Sequence, residues 1–363
     1  MGEKETIVVN DKLQSRRDFL KRIYLGAAGV GLFGSMPRHS PGTVASALSP
    51  YSEQTTPASL IPVKPAPPAR VSLIKGGDRK QVIFDSLKQI EDEVFAGIGD
   101  RKVLIKPNMA VSKNPLAVTH ADAVRAVLEF LRPRCKKEII IGESGVFNTR
   151  EGYKNNGYEA LEREYSVKLV DLNAGPSKNY YVFGREQNPQ PVRIISSFLD
   201  PDVYVISLAR MKTHDCVLVT LSLKNVLMAA PLNDYKRSDK GQLHGPAPAV
   251  NDILHFNLFH LAHRVWPDLA VIDGYEAMEG DGPAWGTPFE AKVALAGTDP
   301  LAADTVATRI MGFDPEKILY LRAMREGGLG QGDPEKISVL GTPVEQCLYK
   351  FKINKRLAEF YKT

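Results

Sequence analysis

From residue 70 onward, short apolar runs alternate with stretches whose apolar positions recur at helical spacing. The runs at 70–75, 102–106, 138–141, 167–172, 203–208, 269–273, 292–296 and 337–340 read as strands. Helical periodicity covers 82–95, 121–131, 158–165, 220–229, 250–265 and 301–311. Near-continuous apolar strands alternating with helices predict an α/β fold: a mostly parallel sheet with helices on both faces, three layers in all. Asp299 followed by Pro300 reads as the N-cap and first residue of the last of these helices. Residues 48–69 break the pattern. They are rich in Pro, Ser and Thr and predict an extended N-terminal linker.

Ahead of the linker, Ser15-Arg16-Arg17-Asp18-Phe19-Leu20-Lys21 resembles a twin-arginine export signal. Residues 23–36 form a weakly apolar, Gly-rich stretch, short for a bilayer span. Ala45-Ser46-Ala47 then supplies small residues for cleavage. The expected organisation is a signal peptide over 1–47, the linker over 48–69 and a single α/β domain over 70–363. The resemblance implies passage through the twin-arginine translocase as a folded protein and work in the periplasm or another extracytoplasmic space.

Charge sharpens this picture. The whole chain carries a formal +5, and residues 1–47 hold seven basic and four acidic side chains, a net +3. The remainder is therefore only +2, and no basic block points to nucleic acid. No second apolar run predicts a membrane span after cleavage. Cys135, Cys216 and Cys347 are far apart and form no Cys-x-x-Cys pair, so no iron–sulfur framework is expected from this chain.

Polar clusters follow several of the apolar runs directly. Lys106-Pro107-Asn108, Gly142-Glu143-Ser144-Gly145, Ala209-Arg210-Met211-Lys212-Thr213-His214 and Asp273-Gly274-Tyr275-Glu276 each begin where a predicted strand stops. In a parallel sheet those ends share one edge, and ligands bind there. Lys212 and His214, two apart, share a strand face, and Thr220 and Lys224, four apart, share a helix face. Lys106, Lys212 and Lys224 can thus meet His214 in one pocket, a set suited to a carboxylate or phosphate. The plainer alternative is that each lysine pairs structurally with Glu143 or Asp273, or lies on the surface.

Several of these segments also carry a family resemblance. Ile105-Lys106-Pro107-Asn108, Lys212-Thr213-His214, Thr220-Leu221-Ser222-Leu223-Lys224-Asn225 and Leu243-His244-Gly245 resemble the landmarks of the domain of unknown function 362 family. So do Asp273-Gly274, Gly280-Asp281-Gly282-Pro283 and Asp299-Pro300 followed by Asp304. The resemblance runs over 71–312 and implies little about reaction. Some members add a ferredoxin-like module of cysteine quartets. This sequence lacks one, so a redox role would need an external electron-transfer partner.

The resulting site expectation has three parts. His214, Lys212 and Lys224 are the catalytic candidates, and Lys106, Asn108, Glu143, Thr220, Asn225 and His244 the substrate-binding ones. Asp273, Glu276, Glu279 and Asp281 fall within nine residues beside glycines, and hard oxygen donors on flexible backbone suit Mg²⁺ or Mn²⁺. Such a loop can equally spend its carboxylates on backbone amides. Cys216 beside His214 makes a poor nucleophile pair, and His255, His260 and His263 a poor ligand set. The reading is an exported enzyme acting on a small anion, with or without a metal. A non-catalytic anion or metal binder and an accessory factor for an exported redox enzyme are the alternatives.

Overall fold

The alternation of apolar runs and helices is realised as one large, mostly parallel sheet. The computed structural model describes residues 64–361 apart from 187, 235 and 246–251. The expected signal peptide and most of the expected linker lie outside those residues, and residues 64–68 have no regular structure.

The chain enters through β1 (Ala69–Lys75), α1 (Arg79–Lys88), α2 (Glu91–Ile98), β2 (Lys102–Pro107), α3 (Ala121–Leu131) and β3 (Ile139–Glu143). It continues through α4 (Thr149–Asn155), α5 (Tyr158–Tyr165) and β4 (Lys168–Asp171) into β5 (Ser177–Phe183) and β6 (Pro189–Ile195). Then come β7 (Val203–His214), β8 (Leu218–Thr220), α6 (Ser222–Leu227), α7 (Asp252–Ala262), β9 (Leu269–Glu279) and β10 (Thr287–Phe289). The last elements are β11 (Val293–Gly297), α8 (Pro300–Ile310), α9 (Leu319–Glu326) and β12 (Ile337–Gly341).

The strand order is β12-β1-β11-β9-β7-β2-β3-β4, with β10 added to β9 and β8 to β7. Neighbours from β9 to β4 pair in parallel, as do β12 and β1, and β11 runs antiparallel between β1 and β9. Side chains alternate between the two faces, as a sheet covered on both sides requires. Leu104, Val205, Ile272 and Leu295 pack into one core with α6, α7, α8 and α9. Val103, Ile105, Ile206 and Val271 pack into the other with α1, α2, α3 and α5. The three-layer expectation is met.

Four departures matter. The helix expected over 82–95 divides, because Gln89 ends α1 and Ile90 turns inward to full burial before α2 starts. The hairpin β5–β6 has no counterpart in the sequence-based expectation; its first strand begins with the polar Ser177-Lys178-Asn179 and has a single buried residue, Val182. The remaining two shape the site, since β7 and β9 run several residues beyond their apolar cores. The far end of β7 folds back on β8, pairing Lys212 with Thr220 and His214 with Leu218. The far end of β9 pairs with β10, Glu279 opposite Thr287. Among the described residues no helix is long and apolar enough to cross a membrane.

Candidate functional site

The C-terminal ends of β2, β3 and β7 open onto a cavity of about 860 Å³. Lys106, Asn108, Glu143, Lys212, His214, Thr220, Lys224, Asn225 and His244 all line it, so the proposed catalytic and substrate-binding residues share one wall. Asp281 joins them from the turn after β9. That turn lies tight against β7, and a Cβ on Gly282 would run into the Thr213 carbonyl. Only glycine allows the close approach.

Asn225 holds the frame. Its Oδ1 accepts from Lys106 Nζ at 2.8 Å and Asn108 Nδ2 at 2.9 Å, and its Nδ2 donates to the Lys106 carbonyl at 3.1 Å and Ser207 Oγ at 3.0 Å. All four capacities of the amide are spent on protein, tying α6 to β2 and β7. The start of α6 is fixed from behind by Asp304 of α8, which accepts from the Ser222 and Leu223 amides at 2.8 and 2.9 Å. Burial raises the Asp304 pKa to about 8 in spite of those two bonds. Asp299 caps α8 through the Leu301 and Ala302 amides, as its place before Pro300 predicts.

Four buried lysines line this cavity, and a count of their donors separates them. Lys106 forms an ion pair with Glu143 at 3.0 Å and donates to Asn225 Oδ1 and the Pro107 carbonyl. Lys240 donates to Ser144 Oγ and to the Met228 and Ala229 carbonyls, at 3.0, 2.8 and 3.1 Å. Each ammonium has three protons, so both are saturated by the protein. Lys212 is fully buried and has one acceptor, the Ala117 carbonyl at 3.1 Å. Lys224 is 6% exposed and meets no hydrogen-bond acceptor or ion-pair partner among the described residues. Thr220 Oγ1 and Asn108 Oδ1, also buried on the cavity wall, have no hydrogen-bond partner among those residues.

Burial dominates the electrostatics. It lowers the Lys224 pKa to about 8, with slight opposition from Cys216 and Asp215. It drives Lys212 well below the ordinary lysine value, helped by the neighbouring cations Lys224, Arg210 and Lys106. Lys240 falls to about 7 by burial, although three acceptors favour its ammonium form. His214 lies well below the imidazole value and His244 falls to about 4, each through burial first and the Lys224 charge second. His214 is thus neutral. Its Nδ1 accepts the Cys216 backbone N–H at 3.0 Å, which leaves the proton on Nε2. It can donate to a ligand, but its basic nitrogen is occupied.

The four carboxylates expected to hold a divalent cation do not gather. Asp273 and Glu276 lie within β9, where Arg79 approaches them at 3.4 and 3.5 Å. Arg210, beside Asp273 in the sheet, binds Glu276 at 2.6 Å. Glu279 pairs with Lys352 at 2.9 Å and accepts its backbone amide at 2.8 Å, and Asp281 faces Lys355 at 3.7 Å. The expected glycine loop is mostly strand, and its charges are neutralised by cations distant in sequence. His214, Asp215 and Cys216 bring ligand-capable atoms within 4.8 Å of one another. The thiol there donates to Asp215 at 3.4 Å, and burial raises its pKa to about 12. Lys240, Ser144 and Asp215 are cavity residues that sequence reasoning passed over. Lys240 sits in a polar stretch that reads as a solvated loop, and only its burial marks it.

Landmarks of the family resemblance around Lys106, Lys212, Lys224, His244 and Asp281 line this cavity, and residues 103–309 match the family described as domain of unknown function 362. The chain belongs to that family. A relative within reach is a thylakoid-associated protein of Synechocystis, 30% identical over 264 residues, covering 71% of this chain and 78% of the relative. A crystal structure of a protein from Thermotoga maritima aligns with 12% identity and a TM-score of 0.34, over 70% of this chain. The chain spans 59% of that structure's length. The family match covers the ends of β2, β3, β7 and α6, and with them Lys106, Lys212, Lys224 and Lys240 of the cavity wall.

Proposed function

We propose that this cavity is the active site of an enzyme acting on a small carboxylate or phosphate. One observation carries the reading: Lys224 presents a buried ammonium to the cavity with no hydrogen-bond or ion-pair partner among the described residues. An unpaired buried charge costs several kcal/mol, and a protein gains nothing from it in the ligand-free state. An anion entering the cavity removes that cost. Lys212, whose one acceptor among the described residues is the Ala117 carbonyl, keeps donor capacity beside Lys224, while Lys106 and Lys240 are held in place by their own partners.

In this reading Lys212 grips the anion and His214 donates through Nε2. Lys224 exchanges a proton with substrate, a role suited to an amine whose pKa sits at about 8. Asp273, Glu276 and Glu279 stabilise the sheet, and no metal step is routed through them. On the strength of Ser15–Lys21 we also place the working protein outside the cytoplasm. The test is thermal unfolding of the full chain with phosphate, malonate and pyruvate at constant ionic strength. At least one anion should raise the midpoint in a saturable manner, and Lys212→Met should abolish the shift. No shift with any of the three, or a shift untouched by Lys212→Met, would overturn the reading.

A further inference from the structure

We propose that Lys224 is a covalent residue, whose amine adds to the carbonyl carbon of a small oxo acid while Lys212 receives the acid's carboxylate. The proposal rests on the anion-site reading and narrows its substrate class to carboxylates that carry a ketone or aldehyde.

The donor count singles out Lys224. A nucleophilic amine must have a lone pair free to approach carbon. Lys106 and Lys240 would each have to break three contacts to offer one. Lys212 is held by the Ala117 carbonyl. Lys224 alone among these four has no bond to lose, and its Nζ faces a cavity large enough for a small acid. Helix α6 is rigid at the right place, fixed at its start by Asp304 and in its middle by Asn225. The reacting atom is therefore positioned and the incoming carbon is not excluded. Burial disfavours the positive charge at Lys224, which keeps part of the amine neutral near physiological pH.

The step balances without an oxidant or a second substrate. The Lys224 lone pair forms a C–N bond as the carbonyl π electrons move to oxygen, which takes up a proton. The carbinolamine then loses that oxygen as water after a second protonation, and the nitrogen lone pair forms the C=N bond. The sum is amine, carbonyl and one proton giving iminium and water, once the nitrogen's own surplus proton has left. An iminium withdraws electrons from the adjacent C–H or C–C bond, so the reaction class is proton transfer or carbon–carbon cleavage next to the former carbonyl.

The experiment is reductive trapping on the full chain. Protein is incubated with pyruvate, treated with borohydride and examined by peptide mass spectrometry. Lactate, which has no carbonyl, is the control, and unfolding midpoints with both acids are recorded before reduction. The expected result is one reduced pyruvate adduct, mapped to Lys224, present in wild type, absent with lactate and absent in Lys224→Arg. Stabilisation by both acids without any adduct would overturn the covalent role and leave the anion site standing. An adduct mapped to another lysine, or spread over surface lysines and undiminished in Lys224→Arg, would also overturn it. Neither stabilisation nor adduct with either acid would overturn this proposal and count against the anion site as well.

Discussion

At the scale of single residues, Lys106 and Lys224 are opposites although both are buried lysines on one cavity. Lys106 belongs to a closed set with Glu143 and Asn225, so Lys106→Met should strand a buried carboxylate and cost about 3–5 kcal/mol. Lys224 has no hydrogen-bond or ion-pair partner to strand among the described residues. Its pKa of about 8 in the folded protein stands below about 10.4 in the unfolded chain, so Lys224→Met should stabilise by about 3 kcal/mol at pH 7. The sign follows from proton counting. Below pH 8 both states hold the proton and the penalty is complete. Between the two pKa values the unfolded chain binds more protons, so wild-type stability rises with pH. The advantage of Lys224→Met should therefore shrink from pH 8 upward and vanish near about pH 10.4. Urea unfolding of both variants across that range measures it; a destabilised Lys224→Met would show that a structural partner exists.

At the scale of elements, the site depends on α6 more than on any loop. Two buried amides at its start rely on the single carboxylate of Asp304, which stands 81 or more positions further along the chain. Asp304→Ala should cost about 1–3 kcal/mol for each amide left unpaired and should loosen the placement of Lys224 and Asn225. Urea unfolding gives the first quantity. Loss of the anion-dependent midpoint shift gives the second, and a variant with full stability and full shift would show that α6 holds itself. Much of this framework was legible in the sequence, because apolar periodicity reports a strand or helix locally. Lys212 and His214 on one strand face, and Asp299 ahead of Pro300, are readable in that way. What decides β9 is not local. Asp273-Gly274 looks like a flexible loop until Arg79 and Arg210 arrive from distant elements to neutralise the strand. Asn225 reads as a ligand contact for the same reason, since its four partners are far away in the chain.

For the whole molecule, two claims are separable. The proposed export signal in residues 1–47 predicts that replacing Arg16 and Arg17 together by lysine leaves full-length protein in the cytoplasm. Fractionation of the host reads this directly, and normal export of the double variant would refute the signal. The proposed chemistry belongs to the cavity, and its central claim is that Lys224, without a hydrogen-bond or ion-pair partner among the described residues, awaits an anion. Such an anion favours the charged lysine, so binding must draw a proton from solution when part of the amine is neutral. The decisive measurement is calorimetric titration of malonate, already fully ionised, into the full chain at pH 8 in two buffers of different ionisation enthalpy. The account predicts net proton uptake on malonate binding, to which Lys224 contributes up to about half a proton because a group with a pKa of about 8 is half-charged there, and a smaller uptake in Lys224→Met. Binding with no proton uptake, or with uptake that Lys224→Met leaves unchanged, would contradict it.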